Sequence, residues 1–135
     1  HRRQLATRYH EFLSGIPRLI LPAEPTWARA NWQSYCVRLP EGMDQREVMQ
    51  QMLDEGIATR RGIMCAHLEP TYSEPGTWRC AEIERKPGGA CPNLVESARA
   101  QRESIILPLF DEITEEQQAR VAQSLLRACR VASPA

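Results

Sequence analysis

Apolar and polar positions along the chain alternate with two different periods, which divides it into helical and extended stretches. Leu5, Tyr9, Phe12, Leu13 and Ile16 follow the i, i+4, i+7, i+8 spacing of one helical face, with Arg2, Arg3, Arg8 and Glu11 on the other side. A first helix is therefore expected, ended near residue 14 by Gly15 and Pro17. A short strand should follow over residues 18–21, and Pro22 and Pro25 then mark an irregular link carrying Trp27. Across residues 31–39 the period becomes two. Trp32, Ser34, Cys36 and Arg38 fall on one face and Gln33, Tyr35, Val37 and Leu39 on the other. Apolar groups on both faces point to a central strand rather than an edge strand.

Pro40-Glu41-Gly42 turns the chain, and Asp44 can cap the next helix with Glu47 in the reciprocal position. Val48, Met49, Met52 and Leu53 make its apolar stripe, which suits core packing better than a ligand pocket. Gly56 supplies a left-handed cap, and residues 57–61 read as a strand. Residues 73–92 are the least regular part, a stretch that fits a functional or partner-facing loop and equally a mobile one. An Asn-x-x-Glu start at Asn93 opens a modest helix to residue 103. Residues 105–110 form a short buried strand broken by Pro108. Thr114-x-x-Gln117 is a capping box for a last helix that turns Val121, Ala122, Leu125, Leu126 and Cys129 inward, and the Ser-Pro-Ala tail should fray. The order α-β-β-α-β-loop-α-β-α predicts a small α/β (α+β) sandwich, a mixed or antiparallel sheet of about four strands packed by helices.

Composition narrows the chemistry. With 135 residues, 42% hydrophobic and 25% charged, the chain fits one domain with a real core. Its formal charge is zero and no apolar run approaches ~20 residues, so neither a nucleic-acid nor a membrane partner is expected, and the reading is cytoplasmic. The five cysteines contain no close pair, which argues against a metal site and for reduced thiols rather than a disulfide framework. Only Lys86 is a lysine. Schiff-base chemistry must use Lys86 or a group outside this chain, and Glu82 and Glu84 beside Lys86 oppose the lowered pKa such a lysine needs.

The candidate chemistry gathers in residues 56–72. Arg60 and Arg61 offer planar forks suited to phosphate or carboxylate, and His67 can donate, accept or titrate. The plainer readings are a satisfied imidazole and two arginines in surface ion pairs. No nucleophile elbow and no phosphate-cradling glycine loop is present. From the residues alone this is an α/β domain with an anion-binding tip and no complete active site, so no catalytic residue is assigned.

Several stretches in order resemble one family. They are Arg-Arg-x-Leu-Ala-x-Arg-Tyr at the start, Trp-Gln-Ser-Tyr-Cys-Val-Arg-Leu over 32–39, and Arg-Glu-Val-x-x-x-Met-Leu-Asp-Glu-Gly-Ile-Ala-Thr-Arg over 46–60. Gly-Ile-Met-Cys-Ala-His-Leu-Glu-Pro-x-Tyr over 62–72 and Ser-Ile-Ile-Leu-Pro-Leu-Phe-x-x-Ile-Thr-Glu-Glu-Gln over 104–117 complete the series. Together these resemble the C-terminal small domain of the DegT/StrS sugar aminotransferases, which are fold-type I enzymes dependent on pyridoxal phosphate. The resemblance implies a single small domain over 1–135, with the large domain and its cofactor lysine outside this chain. It also implies transfer of an amino group, usually from glutamate, to a keto group of a nucleotide-linked sugar. The fragment alone should be inactive and without cofactor, and the full-length protein a homodimer. By similarity His67 approaches the sugar; Arg60 and Arg61 would meet its diphosphate or the donor carboxylate, and Tyr72 and Asn31 would add polar contacts. Cys-Pro-Asn-Leu-Val-Glu over 91–96 departs from the family's usual Leu-Pro-x-x-Glu and follows an insertion over 78–89, which bears on substrate identity. The alternative is a non-catalytic, regulatory or dehydratase-like relative on the same scaffold.

Overall fold

The computed structural model describes residues 1–72 and 91–131. Within them lie helices α1 (Arg2–Leu13), α2 (Gln45–Asp54), α3 (Val95–Glu103) and α4 (Glu115–Val131), and strands β1 (Tyr35–Arg38), β2 (Arg60–Arg61) and β3 (Ser104–Leu107). The strands form one antiparallel sheet in the order β1-β3-β2. Tyr35 and Val37 stand opposite Leu107 and Ile105, and all four are buried. This inner face meets α1, α2 and α4, which contribute Leu5, Tyr9, Leu13, Val48, Met52, Val121 and Leu125 to one continuous core. Full burial of each such side chain stabilises the fold by about 1.5–3 kcal/mol before chain entropy is subtracted.

The helix ends obey local chemistry. Asp44 Oδ1 accepts from the backbone N–H of Arg46 and Glu47. Gly56 N–H donates to Leu53 O, Ile57 N–H donates to Met52 O, and Gly56 sits at φ +77, a double closure that turns the chain out of α2 toward β2. Thr114 and Gln117 form the expected reciprocal box at the start of α4.

The sheet departs from expectation in three ways. It has three strands rather than about four, because residues 18–21 contribute only one bridge, Ile20 to Arg38, beside Arg18 at φ +60. The long strand over 31–39 shortens to Tyr35–Arg38, since Trp32 adopts φ +53 and leaves the extended run. β1 is also not central; β3 is, and β1 lies at the side of the sheet. α3 starts later than Asn93 because Pro92–Leu94 makes a 3-10 turn, and no side chain caps the helix. The irregular stretch over 73–92 lies, up to residue 90, outside the described residues, as do Lys86 and the tail from residue 132.

Ser104 fixes where β2 departs. Its carbonyl accepts Gln45 Nε2 at 2.6 Å and the Gly62 N–H at 2.9 Å, and its hydroxyl donates to Ala100 O at 2.6 Å. A Cβ on Gly62 would collide with Ser104 Oγ and approach Cys36 Sγ at 2.5 Å. Gly62→Ala should therefore cost about 1–3 kcal/mol by forced displacement, read as a lowered urea midpoint with unchanged m. A neutral substitution would mean that β2 does not need this approach.

Candidate functional site

β2 is an edge strand only two residues long, and successive side chains on a strand point to opposite faces. Arg60 pairs with Ile106 and Arg61 with Ile105. Ile105 is buried toward the helices, so Arg61 lies on the helix side of the sheet and Arg60 on the open side. The two arginines do not form one tip. Arg60 lines a 480 Å³ concavity with Gln33, Ser34, Ile106, Pro108 and Leu109. Arg61 lines a different one, against Arg46, Met49 and Leu53 of α2.

Asn31 lies in the link before β1, where its Oδ1 accepts from Gln33 N–H at 3.2 Å. It lines a 300 Å³ concavity that shares Gln33 and Ser34 with the one holding Arg60. Arg60 and Asn31 thus flank adjoining hollows at one end of the sheet. Tyr9 supports that end from within the core. Its hydroxyl donates to Pro108 O at 2.6 Å, its ring packs on Tyr35 at 5.1 Å, and burial pushes its phenol far above the ordinary tyrosine range.

His67 and Tyr72 line neither hollow. After Gly62 the chain passes the exposed Ile63 and Met64 and is then pinned to α3, where the Cys65 N–H donates to Gln101 Oε1 and its thiol to Ser97 O at 3.3 Å. Two successive 3-10 turns, Ala66–Leu68 and Pro70–Tyr72, follow from that anchor and carry a half-buried His67 and an exposed Tyr72. Gln33 and Ser34 are the lining residues that sequence reasoning missed. Their signal was two polar residues directly before an apolar strand, which reads as ordinary alternation until the register is known.

The open face of the sheet also carries a charge cluster. Glu103 accepts from Arg38 Nη2 at 3.0 Å and from Arg99 Nε at 3.0 Å. Burial pushes its carboxyl up, but the two guanidinia together outweigh that and hold it below the usual carboxylate range. Cys36, opposite Ile106 of β3, has its thiol raised by burial against an opposing hydrogen bond with Ser104, and burial likewise lifts Cys129 to about 11. Cys36, Cys65 and Cys129 form no disulfide, whereas Cys91 is disulfide-bonded, a correction to the expectation of reduced thiols throughout. Among the described residues no group of three or more His, Cys, Asp or Glu could hold a metal ion, and no helix is long and apolar enough to cross a membrane.

A helix-backed antiparallel sheet with polar hollows on its open side is a scaffold that presents groups to something placed against it. Residues 1–126 match the family model of the DegT/DnrJ/EryC1/StrS aminotransferase family, and the chain belongs to that family. No curated protein matches it. Among solved structures it is similar to the aminotransferase TlmJ from Streptoalloteichus hindustanus, with 22% identity, a TM-score of 0.73, and coverage of 98% of this chain and 32% of TlmJ. Spr1654 from Streptococcus pneumoniae, in its PMP-form, gives 18% identity, a TM-score of 0.78, and coverage of 98% of this chain and 31% of that one. DesI in the presence of its TDP-sugar product gives 23% identity, a TM-score of 0.73, and coverage of 97% and 31%. The chain therefore spans about a third of the length of these structures, and the likeness shows a shared small α/β fold.

The Glu103 cluster makes a pH prediction. Its folded pKa lies below the unfolded value, so its ion pairs contribute in full above the unfolded pKa of about 4.3 and are lost as pH falls through the folded value. Glu103→Gln should cost about 1 kcal/mol near pH 7, with the difference from wild type shrinking between about pH 5 and pH 3 in denaturant titrations. A difference that stays constant with pH would show that the ion pairs contribute nothing.

Proposed function

We propose that this chain is the C-terminal small domain of a pyridoxal-phosphate-dependent aminotransferase that moves an amino group from glutamate to a keto group of a nucleotide-linked sugar. The observation that carries the reading is the family match over residues 1–126, nearly the whole chain. Nucleotide-linked substrate is supported by DesI, solved in the presence of its TDP-sugar product, and the cofactor by Spr1654, solved in PLP- and PMP-forms. The whole enzyme is read as a cytoplasmic homodimer.

In this reading the open face of the sheet is the substrate side. Arg60 is exposed and its side chain makes no hydrogen bond or ion pair among the described residues, so its guanidinium is available to a diphosphate or to the donor carboxylate. Asn31, in the adjoining hollow, offers an amide for sugar or phosphate oxygens, and Tyr72 a phenol. His67 serves as a hydrogen-bonding group toward the sugar. Arg61 stays a weaker candidate for this substrate, since strand alternation turns it to the helix side.

The described residues do not fit the cofactor by themselves. Pyridoxal phosphate needs a lysine amine for its covalent attachment, and no lysine lies among them. No step through the cofactor is assigned to these residues, and the chain by itself is expected to show no transamination.

The test is the absorbance of the intact protein with pyridoxal phosphate, before and after glutamate. A visible cofactor band that glutamate converts to the PMP-form is expected. His67→Asn should leave that glutamate half-reaction within about threefold while lowering turnover of a nucleotide-linked keto-sugar by roughly 10–100-fold, as loss of one charged or polar substrate contact does. A cofactor band that glutamate leaves unchanged, or no band, would overturn the aminotransferase reading.

A further inference from the structure

The separation of the two arginines leaves Arg61 in a groove apart from the Arg60 hollow. The groove lies between α2 and the segment entering β2, has a volume of 340 Å³, and is bounded by Arg46 in the first turn of α2 and Arg61 on the strand. Met49, Gln50 and Leu53 follow Arg46 at i+3, i+4 and i+7, so the floor is one stripe of the helix. Neither the Arg46 nor the Arg61 guanidinium makes a hydrogen bond or ion pair among the described residues, and no described carboxylate lines the groove. Gln50 Nε2 donates to Asp54 Oδ1 at 2.7 Å, and Asp54 itself is not among the residues that line the groove. Thr59, on the strand wall, has a hydroxyl shielded from solvent and without a partner.

Two uncompensated guanidinia across one concavity repel each other and attract an anion between them. Their planar forks match phosphate oxygens bidentately. Between the charges lie a thioether and an exposed leucine, Leu53, which form a seat for a flat apolar body, and sulfur is well suited to an aromatic ring. The volume falls in the range of small-ligand sites.

We propose that the groove between α2 and β2 is a second ligand site that takes an organic phosphate with an aromatic body, with Arg46 and Arg61 holding the phosphate and Met49 and Leu53 seating the ring. It is separate from the hollow that holds Arg60: of the residues lining the two, only Ala58 is shared.

The chain's four methionines make the test selective: Met49 lines this groove, Met52 is buried in the core, Met64 lies on the exposed segment before His67, and Met43 lies at the turn into α2. The intact protein, labelled at the methionine methyls, is titrated separately with phenyl phosphate, adenosine monophosphate and inorganic phosphate. The expected result is a saturable shift of the Met49 methyl with one or both organic phosphates, at concentrations that leave Met64 unmoved. A response to both identifies an aryl-phosphate site, and a response to adenosine monophosphate alone identifies a nucleotide site. Arg46→Gln and Arg61→Gln should each weaken binding roughly tenfold, Arg61→Lys less, and Arg60→Gln not at all, while the Met52 resonance verifies that each variant is folded. No Met49 response, an equal response to inorganic phosphate, a response confined to Met64, or binding indifferent to Arg61→Gln would each overturn the proposal. So would a Met49 shift produced only by an acidic peptide.

Discussion

One buried carbonyl organises the sheet and the site beside it. Ser104 O receives the side chain of Gln45 from α2 and the backbone of Gly62 from the end of β2, while the Ser104 hydroxyl closes the last turn of α3. The same residue stands opposite Arg38 of β1. Four elements therefore converge on a residue that is 1% exposed. Leaving such a group unpaired would cost about 1–3 kcal/mol, so the position of α2, the exit of β2 and the junction of α3 with β3 are set together. The absence of a side chain at Gly62 belongs to the same arrangement, because only a bare Cα fits between Ser104 and Cys36.

From that junction the fate of the two arginines follows. The Gly56 closure of α2 sets the residue at which the chain becomes extended, and the bond from Gly62 to Ser104 sets the register with β3. Between those two points the period of two decides that Arg60 meets the open face and Arg61 meets α2. A shift of one residue would exchange them. Charge adjacency in the sequence is thus a poor guide to charge adjacency in space whenever the residues lie on a strand, and the single cationic tip becomes two sites with different neighbours.

What could be read from the sequence divides by how local its cause is. The caps at Asp44, Gly56 and Thr114–Gln117 depend on residues within one turn of each other, and all three are where the pattern puts them. The family resemblance likewise holds, since it rests on an ordered series rather than on any one side chain. The strand over 31–39 misled because Trp32 counted as an apolar strand position on the face opposite Tyr35, Val37 and Leu39. It lies instead in a left-handed turn, its ring stacked on Tyr35 at 6.0 Å, and without it the apolar groups no longer demand a central strand. Strand order, the role of Ser104 and the shared hollow of Gln33 and Ser34 are long-range consequences of register, which no window of neighbouring residues contains. The Asn93 cap failed for a local reason that was visible: Pro92 favours a tight turn before the helix.

The comparisons and the open face carry different kinds of information. Identity near 20% with TM-scores above 0.7 means that what these chains share is the pattern of burial. A core such as Tyr35, Val37, Ile105 and Leu107 accepts many apolar replacements of similar volume, so it preserves the fold without preserving the residues. Gln33, Ser34, Asn31 and Arg60 stand under no such requirement: none is buried, and the Arg60 guanidinium pairs with no other described group. Stability does not explain a guanidinium left unpaired beside two polar side chains at the end of a sheet, because an exposed charge of this kind contributes little to folding. The Arg60 guanidinium is open to a group placed against that face, which is the physical reason for seeking substrate recognition there while the core speaks only for the family's architecture.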